Sequence, residues 1–249
     1  MERSRHPRRP EPVRRSTVSQ THAAASPAPA RIRDTRWWGF GLYALISLVH
    51  VAALTFDLEP ISYPTKLLLM PALALAVIWA LRGSLRSTPA TLLLAAIAFS
   101  WLGDGAAFFF PFLADELPAM LLCFGIAHVL YIWLFLRPVA RRPFAPWSLV
   151  YAAWWIGMML LLWPSLGALA IPVAVYGLVL GGTAAASTRG SALTAVGGAF
   201  FLASDSILAV RLFLDGGFSE MLAGPWIMIT YTIGQGLLAL GIVRLLRHR

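Results

Sequence analysis

Apolar residues dominate the chain from Trp37 onward and form stretches of about 20 residues separated by short polar breaks. Proline and glycine mark these breaks, as at Thr88-Pro89, and the break at Trp163-Pro164-Ser165 is the shortest of them. A helix of about 20 apolar residues crosses the hydrocarbon core of a bilayer, which is roughly 30 Å thick. We therefore predict an all-α, polytopic membrane protein with eight transmembrane helices, at 37–56, 62–81, 90–111, 118–137, 145–163, 166–186, 191–213 and 224–246.

Residues 1–36 differ from the rest of the chain because they are rich in Arg, Pro, Ser and Ala and have no apolar periodicity. Such a segment buries too little apolar surface to offset the entropy of ordering, so we predict a disordered basic tail. Its charged stretch is too long for a cleaved signal peptide. We therefore expect two parts, the cytoplasmic tail at 1–36 and an eight-helix transmembrane domain at 37–249.

Composition narrows the class of protein further. Of the 249 residues, 59% are hydrophobic and only 12% are charged, which is half of the roughly 25% typical of soluble domains. The single cysteine, Cys123, excludes a secreted disulfide scaffold. A net charge of +9 suggests nucleic-acid binding in a soluble protein, but here the basic residues lie in the tail and at the edges of apolar stretches. We expect membrane lipids as surroundings and no nucleic-acid partner.

The charges in the breaks indicate the orientation of the helices. Eighteen of the 20 Lys and Arg residues lie in the tail, in alternate breaks or at the C-terminus, all on one side of the eight-helix arrangement. The positive-inside rule therefore predicts that both termini are cytoplasmic. Because Arg is used far more than Lys, as in GC-rich bacterial genomes, we expect a multi-pass protein of the bacterial inner membrane. The other breaks carry six acidic residues, namely Asp57, Glu59, Asp115, Glu116, Asp215 and Glu220.

Four charged residues remain within the predicted helices: Lys66, Asp104, Asp205 and Arg211. An ionisable group at this depth costs at least about 2.5–3.5 kcal/mol on insertion scales, so such residues usually face the protein interior and mark function. The alternative for Arg211, which lies near the outer end of its helix, is a packing ion pair or a side chain that snorkels to the interface. The sequence thus singles out a small set of candidate functional charges.

The two aspartates lie in similar local sequences. Ala-Phe precedes both Asp104 and Asp205 at the same distance, small residues flank both, and the two helices run in the same direction four helices apart. We predict that the carboxyl groups lie at matching depth in the outer half of the membrane and share one pocket. The pattern also suggests a four-plus-four internal repeat.

Further polar residues lie at helical spacing in the predicted fourth and eighth helices. His128 and Tyr131 are three residues apart on one helical face, and Tyr231 and Gln235 are four apart on another. Lys66 enters from the outer end of the second helix and reaches the same level. A metal site built from the aspartates and His128 would lack a second histidine and a usable cysteine, so we expect neither a metal nor a cofactor.

Several short motifs, in this order and spacing, resemble those of the YhhN family, which includes lysoplasmalogenases. The resemblance covers about residues 60 to 240. It rests on Thr65-Lys66 with Met70-Pro71, Ser100-x-x-Gly103-Asp104, Phe124-Gly125-x-x-His128-x-x-Tyr131, Gly198-Ala199-x-Phe201-x-x-Ser204-Asp205-Ser206 and Tyr231-x-x-Gly234-Gln235.

The resemblance implies hydrolysis of the vinyl-ether bond of a lysoplasmalogen to a fatty aldehyde and a glycerophospho-alcohol, without a cofactor. A different ether lipid or lysophospholipid remains an open substrate. Vinyl-ether hydrolysis needs a proton donor and a group that activates water, and a pair of carboxyl groups suits both tasks. We expect Asp104 and Asp205 to be catalytic. The expected substrate-binding residues are Lys66 and Arg211 for the phosphate, with Ser100, His128, Tyr131, Ser204, Tyr231 and Gln235.

Two other classes fit the same charges. A small membrane transporter or lipid-binding protein also places ionisable residues within its helices and often has repeated halves. Against a transporter, the chain lacks paired helices broken by Gly or Pro near both aspartates. A structural membrane protein, in which buried charges only specify packing, is the third possibility.

Overall fold

The computed structural model describes residues 37–214, 216–217, 220, 222 and 224–247. The described residues are helical, with no strand among them, which confirms the predicted all-α class. The predicted disordered tail at 1–36 lies outside the described residues. The helices are α1 (Trp38–Thr55), α2 (Glu59–Ala80), α3 (Thr88–Asp104), α4 (Ala106–Phe109), α5 (Leu117–Leu136), α6 (Val150–Leu166), α7 (Ala170–Ser187), α8 (Ala192–Phe213) and α9 (Trp226–Arg247), with 3-10 turns at Pro146–Leu149 and Gly167–Leu169.

Each of the eight predicted spans overlaps one long helix, but two bounds are wrong. The third span, predicted at 90–111, ends as a regular helix at Asp104, and one further helical turn, α4, follows Gly105. The break predicted at Trp163-Pro164-Ser165 between 145–163 and 166–186 lies instead at Gly167. Pro164 is accommodated inside α6, whereas Gly167 has φ +50°, a conformation that glycine adopts without the strain of a Cβ atom.

Within the described part of the chain, six continuous helical segments are long and apolar enough to cross a membrane, so the chain is a multi-pass membrane protein. One of them, Pro146–Ser187, is 42 residues long and contains both α6 and α7. The indole Nε1 of Trp155 donates to the carbonyl of Ala174 at 3.0 Å, and Tyr151 packs against Leu180. The earlier residue of α6, Tyr151, thus packs against a later residue of α7 than the one that Trp155 contacts, so the two helices run antiparallel and form a hairpin.

The centre of the bundle consists of α2, α3, α5 and α9. Many of their fully buried side chains are large and aliphatic or aromatic, among them Leu69, Leu73, Leu93, Ile97, Tyr131, Leu134, Phe135, Leu238 and Ile242. Large apolar residues such as Leu48 and Leu160 are exposed on the outside of the bundle. An apolar exterior around a packed interior is the arrangement expected where lipid replaces water.

Helices α8 and α9 approach each other closely at two glycines. A Cβ atom on Gly197 would lie 2.7 Å from the backbone nitrogen of Leu238, and one on Gly234 would lie 2.7 Å from that of Phe201. Without a side chain at either position the two backbones come into direct contact, as small residues allow in membrane helix pairs.

Arginines from several segments gather at one end of the bundle. The Arg141 guanidinium donates to the carbonyl of Leu245 at 2.8 Å, and the Arg189 Nε donates to the carbonyl of Arg142 at 3.2 Å. Arg247 stacks over the Trp37 ring at 4.7 Å. These contacts bring together the end of α5, the turn between α7 and α8, and the end of α9. We call this part of the molecule the arginine end of the bundle.

We expect Gly234→Ala to lower the free energy of unfolding by about 1–3 kcal/mol, because the new methyl group meets backbone atoms that cannot rotate away. Thermal unfolding of the purified protein in detergent, followed by tryptophan fluorescence, measures the change. Gly41→Ala in α1 is the matched control, since nothing lies within 4 Å of its Cβ position and alanine is the better helix former. Equal midpoints for the two variants would contradict the close α8–α9 contact.

Candidate functional site

A cavity of about 140 Å³ lies at the end of the bundle opposite the arginines. Its walls come from the ends of α3 and α8 and from the starts of α2, α5, α7 and α9. Most of the lining is apolar. The polar and charged side chains that line it are Lys66, Asp104, Tyr176, Ser204, Asp205 and Tyr231.

Asp104 reaches the cavity as the last residue of α3. Glycines on both sides let other groups pack closely: a Cβ atom on Gly103 would lie 2.6 Å from the Phe124 ring. The hydroxyl of Tyr231 donates to Oδ2 of Asp104 at 2.6 Å. A carboxyl group among apolar helices thus receives a hydrogen bond from the facing helix α9, which offsets part of the cost of burying it.

Asp205 lies in the second half of α8 and has a different set of neighbours. The hydroxyl of Tyr176 on α7 donates to its Oδ2. The Nε2 atom of His128 lies 3.8 Å from the same oxygen and 3.5 Å from the Tyr176 hydroxyl. The other ring nitrogen of this fully buried histidine, Nδ1, is 3.2 Å from the Thr183 hydroxyl. Helices α5, α7 and α8 therefore meet at this carboxyl group.

A fully buried amide supports the Asp104 side of the site. Gln235 accepts a hydrogen bond from the Tyr131 hydroxyl at 2.8 Å through Oε1. Its Nε2 donates to the Ser100 hydroxyl at 3.0 Å and to the Tyr231 hydroxyl at 3.4 Å. The network links α3, α5 and α9 behind Tyr231, and so it fixes the hydroxyl that donates to Asp104.

The structure brings most of the predicted site residues together, in two tiers. Five of them line the cavity: Lys66, Asp104, Ser204, Asp205 and Tyr231. Four others lie behind the cavity wall as hydrogen-bond partners: Ser100, His128, Tyr131 and Gln235.

Arg211 is placed apart from this group. It lies in the last turn of α8 with an exposed side chain, and it is not among the residues that line the cavity. Ser204 lines the cavity, but its hydroxyl donates to the carbonyl of Ile227 at 3.1 Å. Its hydrogen bond therefore ties α8 to the start of α9.

Tyr176 and Thr183 are the site residues that the sequence reasoning missed. They lie seven residues apart on α7, and hence on one helical face, in a helix whose other residues are apolar except for Ser187 at its end. That spacing is the signal by which they could have been found. His50, which we did not assign to the site, is fully buried with Nδ1 3.0 Å from the Thr65 hydroxyl.

The cavity contains three ionisable side chains in an apolar environment. Lys66, Asp104 and Asp205 line the same cavity, and Asp104 interacts electrostatically with the other two. Within the described ranges, no group of three or more His, Cys, Asp and Glu side chains is arranged to hold a metal ion. The arrangement offers two carboxyl groups for proton transfer and one cation for an anionic ligand.

Comparison with protein families gives one match: the YhhN family model covers residues 61–242. Comparison with curated proteins and with solved structures gives no match. The matched range includes all the cavity residues named above, from Lys66 to Tyr231, and it agrees with the motifs that suggested the resemblance. The chain therefore belongs to the YhhN family.

Proposed function

We propose that this protein is a membrane-embedded hydrolase that cleaves the vinyl-ether bond of a lysoplasmalogen to a fatty aldehyde and a glycerophospho-alcohol. The observation that carries the proposal is the joint lining of one cavity by Asp104, Asp205 and Lys66 in an otherwise apolar bundle. Ionisable groups are too costly in such surroundings to be kept without a task. Membership of the YhhN family is consistent with a hydrolase.

The reaction divides naturally between two carboxyl groups. One, in its acid form, delivers a proton to the β-carbon of the vinyl ether, and the electron pair of the double bond forms the new C–H bond. The other, as a carboxylate, stabilises the oxocarbenium ion and takes a proton from the water that attacks the carbon next to oxygen. The resulting hemiacetal then collapses: the first carboxylate takes the hydroxyl proton, the second carboxyl group passes the proton that it took from water to the leaving glycerol oxygen, and the aldehyde and the alcohol are released.

The hydrogen bonds leave one oxygen of each carboxyl group available for this chemistry. Tyr231 donates to Oδ2 of Asp104 and Tyr176 donates to Oδ2 of Asp205. In the described part of the chain, Oδ1 of neither carboxyl accepts a hydrogen bond. The tyrosines would thus orient the carboxyl groups toward the substrate, while the Lys66 ammonium provides the charge for the phosphate.

We expect Asp104→Asn and Asp205→Asn each to lower the rate of aldehyde release by at least about 10²-fold, because an amide neither delivers nor accepts the proton. The measurement uses purified protein in lipid nanodiscs with lysoplasmalogen as substrate. Asp57→Asn is the matched control, because this residue is exposed in the α1–α2 connection and asparagine suits its φ of +52°.

Two further arms of that experiment separate the competing classes. An ester-linked lysophospholipid should not be cleaved, and intact lipid should not move across the bilayer of proteoliposomes. Near wild-type aldehyde release from a folded Asn variant would contradict the catalytic assignment, and lipid movement without cleavage would favour a transporter.

We expect Lys66→Met to raise KM for the phosphorylated substrate by at least about tenfold, because a hydrogen bond to a charged group contributes about 1.5–3 kcal/mol. The KM for the same lipid without its phosphate should stay within about twofold of wild type. Arg86→Met is the control, since this exposed arginine lies at the opposite end of the bundle. An equal increase in KM for both lipids would contradict the proposal that Lys66 binds the phosphate.

We further infer that all eight long helices cross the membrane, with the arginine end and both termini in the cytoplasm and the cavity in the outer half. A bacterial inner membrane fits this topology and the arginine usage. Support for the four-plus-four repeat comes from the contacts of the aspartates. Tyr231 of α9 contacts Asp104 of α3, and His128 of α5 contacts Asp205 of α8, so the last long helix of each half reaches the aspartate of the other.

Cysteine labelling tests this topology in a Cys123→Ala background, which has no other cysteine. We expect Ser84→Cys, in the α2–α3 connection, to react with a membrane-impermeant maleimide only after the cells are opened. Phe112→Cys, in the connection before α5, should react in intact cells, because it lies at the cavity end and is exposed. The reverse pattern would invert the proposed orientation.

A further inference from the structure

An apolar groove runs between α5 and α7 beside the cavity. Gly125 and Val129 of α5 and Val175 and Val179 of α7 contribute to its walls, and its volume is about 660 Å³. That volume is within the range of about 300–1,000 Å³ that is usual for binding sites of small molecules. Val129 and Val175 are largely exposed, so the groove is open along the outside of the bundle, where the apolar exterior faces lipid.

The groove adjoins the cavity, because Leu121 and Tyr176 line both. The Tyr176 side chain contributes to the groove, while its hydroxyl donates to Asp205. Three other apolar grooves, which lie between α6 and α7, between α1 and α2, and between α1 and α9, share no lining residue with the cavity. The two shared residues therefore distinguish the α5–α7 groove from these other depressions in the surface.

Gly125 keeps the groove open next to this junction. A Cβ atom placed on it would meet only the Tyr176 ring, at 4.0 Å, which is an ordinary van der Waals contact. A larger side chain at this position would extend into the groove without displacing the backbone. The position is therefore suited to a substitution that closes the groove and leaves the packing of α5 intact.

We propose that the α5–α7 groove binds the hydrocarbon chain of the lipid whose polar part occupies the cavity, a proposal that rests on the lipid hydrolase function proposed above. The order of groups along the site matches their order along such a lipid. The apolar groove ends at Tyr176, whose hydroxyl donates to Asp205, and Asp205 lines the adjoining cavity together with Lys66. In a lysoplasmalogen the alkenyl chain is followed by the vinyl ether, and then by glycerol and phosphate.

The size of the cavity also supports placing the polar part of the lipid in the cavity and its hydrocarbon chain in the groove. A cavity of about 140 Å³ is below the range usual for small-molecule sites, so it has room for a polar headgroup and a few waters but not for a long chain as well. A hydrocarbon chain that lies in the groove stays outside the small cavity and contacts apolar side chains of α5 and α7. Its open side faces lipid, so the substrate reaches the site from within the bilayer.

The test compares Gly125→Leu with Gly157→Leu, using lysoplasmalogens with short, medium and long alkenyl chains. Gly157 is an exposed glycine of α6 with nothing within 4 Å of its Cβ position, so it is the matched control outside the groove. We expect Gly125→Leu to lower kcat/KM at least about tenfold for the long chain, because several methylene groups lose their contact. The short-chain substrate should change by less than about twofold, and Gly157→Leu should show no dependence on chain length.

A binding measurement accompanies the kinetics, so that the two proposals fail separately. An ester-linked lysophosphatidylethanolamine with a diazirine near the end of its chain is photolysed with the protein in nanodiscs. Peptides that cover 118–130 and 170–179 should be labelled in wild type and in Gly157→Leu, and labelled several-fold less in Gly125→Leu. This readout needs no hydrolysis.

Labelled groove peptides in a protein that releases no aldehyde from any lipid would overturn the proposed function and leave the groove as a lipid-chain site. Aldehyde release with no loss of labelling in Gly125→Leu and with no chain-length dependence would overturn the groove proposal alone. A Gly125→Leu protein that is lost on purification is replaced by Val129→Trp, which fills the same groove from the exposed face of α5.

Discussion

The cost of holding ionisable side chains among apolar helices is the constraint on which the rest of this structure depends. Each aspartate is accommodated by a tyrosine hydroxyl, from Tyr231 for Asp104 and from Tyr176 for Asp205. Because every donor lies on a different helix from its acceptor, these hydrogen bonds also fix α9 against α3 and α7 against α8. The charges therefore determine how the helices pack, and the packing holds the carboxyl groups at one cavity.

Burial is also costly for polar side chains that do not line the cavity. A buried amide has to satisfy its donors and acceptor within the protein, and Gln235 does so with Ser100, Tyr131 and Tyr231. A loss at any of these positions leaves another polar group unpaired, which costs about 1–3 kcal/mol. The orientation of the Tyr231 hydroxyl, and hence of Asp104, is thus set by the core of the bundle.

The sequence predicted the helices and the important charges because both follow from local rules, namely the length of apolar stretches and the cost of ions in lipid. The hydrogen-bond partners of these residues could not be predicted from the sequence, because they depend on how each helix is rotated against its neighbours. Tyr131 was correctly placed on one face with His128, yet that face meets Gln235 and not the cavity. Similarly, nothing local distinguished Arg211, which is exposed, from Lys66, which lines the cavity.

Helix α7 connects the carboxyl groups of the cavity with the apolar surface of the bundle. Its Tyr176 contributes to the α5–α7 groove and donates to Asp205, while Thr183, two turns along the same face, contacts His128. A hydrocarbon chain in the groove would contact the ring whose hydroxyl orients the carboxyl group. Binding of the chain and positioning of Asp205 would then be coupled through a single side chain, and an amphiphile would use this coupling whereas a soluble anion of similar charge would not.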